Sequence, residues 1–287
     1  MASSPVEAGR VSAELLAPAM MIASGSIHAV VNAILKSGRD KMTARSVIDG
    51  SSAILLLPAL FFVPLPHGAW HWLGASALIH CIYLYALVRA FEASDMSAAY
   101  PILRGVAPLI TAAVTVGVLG ESASIGDLLG TALIGFAVLM MVAGKHIQAA
   151  GLGWSLATAA MIAAYTIVDA AGVRAAPTPT SYIVWLFVIA GIAVVSFFAV
   201  ISRGAILQTA RGQWRAGVIA GALSIVTYGL AMHAYALGPT APLAALRETG
   251  MITALLISLF VLKERVGWLR AASVLGVMAG ATLILTR

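Results

Sequence analysis

Residues 128–144 read LLGTALIGFAVLMMVAG and residues 271–285 read AASVLGVMAGATLIL, two runs without a charged side chain and apolar on every face. In a lipid core every backbone N–H and C=O must find its partner within the chain, so only helices and closed barrels can cross it. Barrel strands are about ten residues long and alternate strictly between apolar and polar positions. These two runs are longer and do not alternate. They read as helices, and a helix that is apolar all round belongs in a bilayer or a large core.

The rest of the chain repeats the pattern. Of its 287 residues 61% are hydrophobic and 10% charged, too little polar surface to cover a soluble globule. With about 20 apolar residues per crossing, helices are expected near 13–36, 44–63, 70–91, 96–119, 124–144, 151–173, 180–202, 214–237, 241–262 and 267–286. Short connections carrying Pro64, Pro66, Pro177 and Pro179 have turn chemistry. The reading is an all-α integral membrane protein with ten transmembrane helices and no separate soluble domain. Arg10 followed by an apolar stretch and small residues resembles a signal peptide, but the apolar pattern continues to Leu35 and has a counterpart in the second half, so it is read as the first span.

The formal charge of +6 sits in short clusters between apolar runs, where anionic lipid headgroups rather than nucleic acid are the partner. Lys36, Arg39, Lys41 and Arg45 follow helix 1; Arg203, Arg211 and Arg215 follow helix 7; Lys263, Arg265 and Arg270 surround the turn after helix 9. The opposite side carries only Arg10, Arg174 and Arg287. The positive-inside rule places the basic loops in the cytoplasm and both termini outside. Cys81 is the sole cysteine, so no intrachain disulfide forms, and it reads as a small core residue.

Sliding the chain by 143 residues without a gap lays Tyr85 on Tyr228, Leu87 on Leu230, Ala93 on Ala236, Ala98 on Ala241, Leu103 on Leu246, Arg104 on Arg247 and Glu121 on Glu264. With a small change of length, His28 and Asn32 of helix 1 fall near Tyr165 and Asp169 of helix 6, so the repeating unit is five helices. An odd number of crossings inverts the second copy. The expectation is two inverted units, 13–144 and 151–286, related by a pseudo-two-fold axis in the membrane plane, which suits alternating access. Shared leucines prove little in apolar sequences. An intramembrane arginine and a glutamate 17 residues later, matched in one register, are far harder to obtain by chance.

The stretch YPILRGVAPL (100–109), then LGES (119–122), ALRETG (245–250) and LKERVG (262–267) resemble the drug/metabolite transporter superfamily, in particular its EamA-like ten-helix members. The resemblance covers nearly the whole chain. It implies a bundle of two five-helix repeats, a central cavity lined mainly by helices 1, 3, 4, 6, 8 and 9, and export or exchange of metabolites such as amino acids. It also implies cytoplasmic termini, opposite to the sense of the loop charges. The expected location is a bacterial inner (plasma) membrane.

Ionisable residues inside spans are costly and are functional candidates by default. Arg104, Asp169, Arg247 and Glu248 fit, and their balanced charge permits two internal ion pairs; the alternative is that such pairs only fix helix register. Pro101, Gly105 and Pro108 bracket Arg104, while Pro239, Pro242 and Gly250 bracket Arg247, so both helices are expected to be interrupted there, a pointer to a transporter site. Pro101 and Pro242 are alternatively first-turn prolines. Arg104 or Arg247 would take an anionic group, since guanidinium is a planar bidentate donor. Glu248 or Asp169 would exchange a proton, since a low-dielectric surround disfavours a bare carboxylate.

Tyr83, Tyr100, Tyr165 and Tyr228 are expected to line the cavity, with Tyr165 four residues before Asp169 on one helix face. His28 and Asn32, also four apart, are weaker lining candidates. Trp70, Trp72, Trp214 and Trp268 read as interface anchors. GxxxG pairs at Gly217/Gly221 and Gly276/Gly280 read as packing contacts, and Glu121 and Glu264 as braces of helix ends. His67 and His71 lack the companion glutamate of a zinc motif, and no metal or cofactor is expected.

The expected function is secondary transport of a small-molecule substrate, with proton coupling as one option and a monomer or homodimer as the assembly. A transporter of drugs or organic anions is the alternative. An intramembrane enzyme would need a constellation that is absent: no HExxH, no GxSxG, no paired Asp-rich motif. A receptor would not need duplicated intramembrane arginines.

Overall fold

The computed structural model describes residues 5–36, 41–145, 147–206, 210–261, 263 and 267–286. Arg39, Glu264, Arg265 and Arg287, counted above among the loop charges and braces, lie outside the described residues. Among the described residues ten helices are long and apolar enough to cross a membrane. We number them α1 (Pro5–Lys36), α2 (Lys41–Leu56, with a further turn Leu57–Phe61), α3 (Trp70–Ala93), α4 (Met96–Gly117), α5 (Ile125–Leu139), α6 (Ala149–Ala175), α7 (Pro179–Ile201), α8 (Trp214–Leu237), α9 (Thr240–Val261) and α10 (Trp268–Leu285). All ten expected spans are present. The largest boundary difference is at α1, which is helical from Pro5.

Local signals set the ends. Ser124 caps α5 by accepting from the Asp127 N–H while Asp127 accepts from the Ser124 N–H, a reciprocal box that explains a buried acid in this span. Thr178 caps α7, with Pro179 at its first position.

The helices pair in a regular way. α1 packs on α8 and α9, as α6 packs on α3 and α4; α2 packs on α8, as α7 packs on α3; α2 meets α7, and α5 meets α10. This pattern is consistent with exchange of each helix for the one five places later. Small residues permit the approach. A Cβ on Gly130 would lie 2.6 Å from the Gly280 carbonyl, and one on Gly280 would lie 2.7 Å from the Gly130 carbonyl, so α5 and α10 touch backbone to backbone. Gly217 and Gly221 bring α8 against Val47 and Ile48 of α2.

The two arginine helices differ from expectation and from each other. α4 runs unbroken through Pro101 and Pro108. Pro101 cannot donate to the Ser97 carbonyl, but Lys145 Nζ does so at 2.7 Å, which satisfies the acceptor that the proline strands. Pro101 therefore lies beyond the first turn, whereas Pro242 lies within the first turn of α9. α9 is interrupted: Thr240–Leu246 is α-helical, Arg247–Thr249 tightens to a 3₁₀ turn, Gly250–Leu256 resumes, and Ile257–Val261 widens to a π turn. The Thr249 hydroxyl donates to the Leu246 carbonyl at 2.7 Å across the break. Here Gly25 of α1 meets the Arg247 carbonyl and Gly250, a contact with no room for a side chain on either glycine.

Candidate functional site

A cavity of about 130 Å³ lies at the centre of the bundle, walled by α1–α4 and α6–α9; no residue of α5 or α10 is among its lining. A void of this order admits a molecule about the size of benzene. α2 and α7 add themselves to the six lining helices expected. Asn32, Arg45, Phe91, Tyr100 and Phe198 sit near helix ends on the side of the basic loops, and His28, His80 and Arg247 lie deeper, so the cavity extends from mid-bundle towards that side.

The other side is tied shut. Arg174, at the end of α6, donates to the Tyr235 carbonyl at 2.9 Å and the Gly238 carbonyl at 2.7 Å, and reaches Glu121 at 3.2 Å. Glu121 in turn accepts from the Thr240 N–H at 2.9 Å and from its hydroxyl at 3.0 Å, capping α9 as a brace of helix ends should.

Arg104 donates through Nε to Glu248 at 2.8 Å, an ion pair between α4 and α9 that is nearly sealed from solvent. Arg247 is 7% exposed and lines the cavity; its buried Nε has no hydrogen-bond partner among the described residues. Its guanidinium lies 5.4 Å from the centroid of the Tyr228 ring, a cation–π contact that holds the charge without neutralising it. Two arginines thus face one buried glutamate, and the second expected ion pair does not form. Asp169 takes neutral partners instead, because its oxygens face α7 and α8 rather than α4 or α9. The Tyr182 hydroxyl donates to Oδ1 at 2.8 Å and the Tyr228 hydroxyl donates to Oδ2.

Aromatic rings form the remaining wall. His80 stacks on Tyr165 at 4.6 Å, Tyr83 meets Tyr165 edge-on at 5.3 Å, and Phe187 meets Tyr228 edge-on at 6.0 Å. Asn32 donates to the Tyr100 hydroxyl at 2.9 Å, joining α1 to α4.

Of the ten residues singled out in the sequence, His28, Asn32, Tyr83, Tyr100, Arg104, Tyr165, Tyr228 and Arg247 line the cavity. Glu248 stands behind Arg104, and Asp169 lies behind Tyr228, wholly buried. The sequence reading missed His80, Arg45 and Asp49. Arg45 was counted as a loop charge, yet it sits in α2, paired with Asp49 at 2.9 Å, and both face the cavity. The signal was available: the two are four apart inside an expected span. Trp70, Trp214 and Trp268 lie exposed at the starts of their helices as anchors should, while Trp72 turns inward against the core. Cys81 is buried among Leu84, Val194 and Phe198. Among the described residues no three His, Cys, Asp or Glu side chains gather as metal ligands would.

Fold and site together define a polytopic helical membrane protein with a cation-bearing cavity in the middle of its bundle. Residues 149–286 match the model of the EamA-like transporter family, as the motifs led us to expect. One solved crystal structure of a protein superposes with a TM-score of 0.70 at 16% identity, covering 95% of this chain and 97% of that one; at this identity it speaks for the fold alone. No curated protein matches the chain.

Proposed function

We propose that the protein is a secondary transporter, an exporter or exchanger, of small metabolites that carry an anionic group, amino acids among them. It works by alternating access between two inverted five-helix units, 13–144 and 151–286, in a bacterial inner membrane. The observation that carries this reading is Arg247, a buried guanidinium facing the cavity with no carboxylate partner among the described residues. A buried charge without a counter-ion is expensive unless something arrives to balance it. The paired packing of α1 with α8 and α6 with α3 supports the inverted units, and the tie at Arg174 supports a state closed on that side. The small cavity favours metabolites over bulky drugs, the alternative cargo.

Counterflow in proteoliposomes tests the reading, with labelled alanine, glutamate and phenylalanine and a panel of organic anions. Saturable counterflow of at least one solute is expected, falling by about a hundredfold in Arg247→Ala, the order of effect of losing a charge-assisted bidentate contact. Flux of an anionic solute that is unchanged in Arg247→Ala would overturn the assignment of the site.

A further inference from the structure

Asp169 is fully buried in α6, outside the cavity lining, and it is the one described intramembrane carboxylate of the core held by tyrosine hydroxyls rather than by an arginine. Around it stand His80 and the Ser76 hydroxyl on α3, Tyr182 on α7, and Tyr228 and Tyr235 on α8. No lysine or arginine pairs with it among the described residues. His80 lines the cavity and lies within electrostatic range of the carboxylate. Its Nδ1 lies 2.8 Å from the Ser76 carbonyl, which can only accept, so Nδ1 carries the hydrogen and Nε2 is left with a free lone pair. A group that can pick up a proton from cavity water therefore stands beside a carboxylate that cavity water does not touch.

Tyr228 joins this buried carboxylate to the cavity. Its hydroxyl donates to Asp169, and its ring lies under the Arg247 guanidinium at 5.4 Å. Building on the transporter reading above, we propose that Asp169 is the proton-binding site of the transport cycle, that His80 relays the proton to it from the cavity, and that Tyr228 couples its protonation to the anion site at Arg247.

The coupling follows from hydrogen-bond valence. An ionised carboxylate only accepts, and here it accepts both tyrosine hydroxyls. When a proton passes from Nε2 of the His80 imidazolium to one carboxylate oxygen, that oxygen becomes a donor and the imidazole returns to neutral. The neutral carboxyl is a weaker acceptor than the carboxylate, so its hold on both tyrosine hydroxyls loosens. Tyr182 packs into Gly172 of its neighbour α6, where an added Cβ would meet its ring, and has little room to move. Tyr228 borders the cavity and has room. Its release moves the ring that braces Arg247, so the affinity for an anion changes with the protonation of Asp169. By linkage, a bound anion changes the proton affinity of Asp169 by the same factor.

Two measurements on the full chain in lipid test this. Infrared difference spectra across a pH titration need no substrate: a protonated carboxyl band is expected in the parent, absent in Asp169→Asn and shifted in frequency in Tyr228→Phe. A band that persists in Asp169→Asn overturns the assignment. The second is accumulation of labelled alanine, glutamate and phenylalanine driven by a pH gradient, expressed relative to counterflow of the same solutes in the same vesicles. That ratio is expected to fall tenfold or more in Asp169→Asn, with a smaller fall in His80→Gln. Where the parent itself shows counterflow but no response to a pH gradient, the proton site fails while the transporter reading stands; absence of counterflow in the folded parent strikes the transporter reading itself.

Discussion

Arg104 and Arg247 occupy the same place in two stretches that align without a gap, yet one is neutralised and the other is not. The residue that follows each arginine decides the difference. After Arg104 comes Gly105, whose missing side chain lets α4 lie against α5; a Cβ there would come within 2.8 Å of the Gly135 carbonyl. After Arg247 comes Glu248, which reaches back across the bundle to Arg104 at 2.8 Å. The second half thus supplies the counter-ion for the first half's arginine and leaves its own facing the cavity. Helix geometry sharpens the contrast, since α4 is continuous whereas α9 breaks at Arg247 and is pinned there by the contact of Gly25 with Gly250. One arginine holds two helices together, and the other faces the cavity, where the proposed function puts the ligand.

The largest effect should come from breaking the paired arginine. Arg104→Gln takes from the buried Glu248 its one hydrogen-bonded ion-pair partner and leaves it only the more distant charge of Arg247, a change that costs up to about 3–5 kcal/mol. A large drop in the detergent unfolding midpoint is expected, and Arg104→Gln combined with Glu248→Gln should recover most of it, because the orphaned charge is then gone. A double variant no more stable than the single one would mean that Arg104 acts through packing instead. Next comes Arg247→Gln. It removes a cation–π contact worth about 0.5–2 kcal/mol and orphans no described partner, so its midpoint should move far less than that of Arg104→Gln. Its transport, on the reading above, should fall by about a hundredfold. Unfolding and flux measured side by side on the two variants would show opposite profiles; matching profiles would erase the distinction between a structural and a ligand-facing arginine.

How much of this was legible in the sequence depends on the range of the interaction. The spans were, because a run such as 128–144 has to be helical in lipid whatever surrounds it. Arg104 and Arg247 were, because the 143-residue register marks them and charge in a span needs a reason. Their unequal fates were not, since the Arg104–Glu248 bond joins residues 144 positions apart. Asp169 stood out as an intramembrane acid, but its partners come from α7 and α8, and a tyrosine gives no sign in sequence of where its hydroxyl points. Pro101 of α4 misled for a tertiary reason: the carbonyl that it strands is met by Lys145, a residue from beyond the next helix. Arg45 misled because loop counting ignores which face of a helix a charge occupies, though its spacing to Asp49 held the clue.

The smallest expected effect lies at the tie between α6 and the α8–α9 turn. Glu121→Gln keeps an oxygen to accept from the Thr240 N–H but loses the charge that faces Arg174 at 3.2 Å. Arg174 is 39% exposed there, so solvent screens much of the attraction, and the loss should be about 0.2–1 kcal/mol. If this contact only biases the balance between a state closed on that side and one open on it, the same energy shifts that balance by a factor of about five at most. Counterflow in Glu121→Gln should therefore change severalfold at most, well short of the loss at Arg247, with little movement of the unfolding midpoint. A hundredfold loss here would make the closing tie as consequential as the cavity arginine. The asymmetry that matters would then lie between the two ends of the bundle rather than between its two halves.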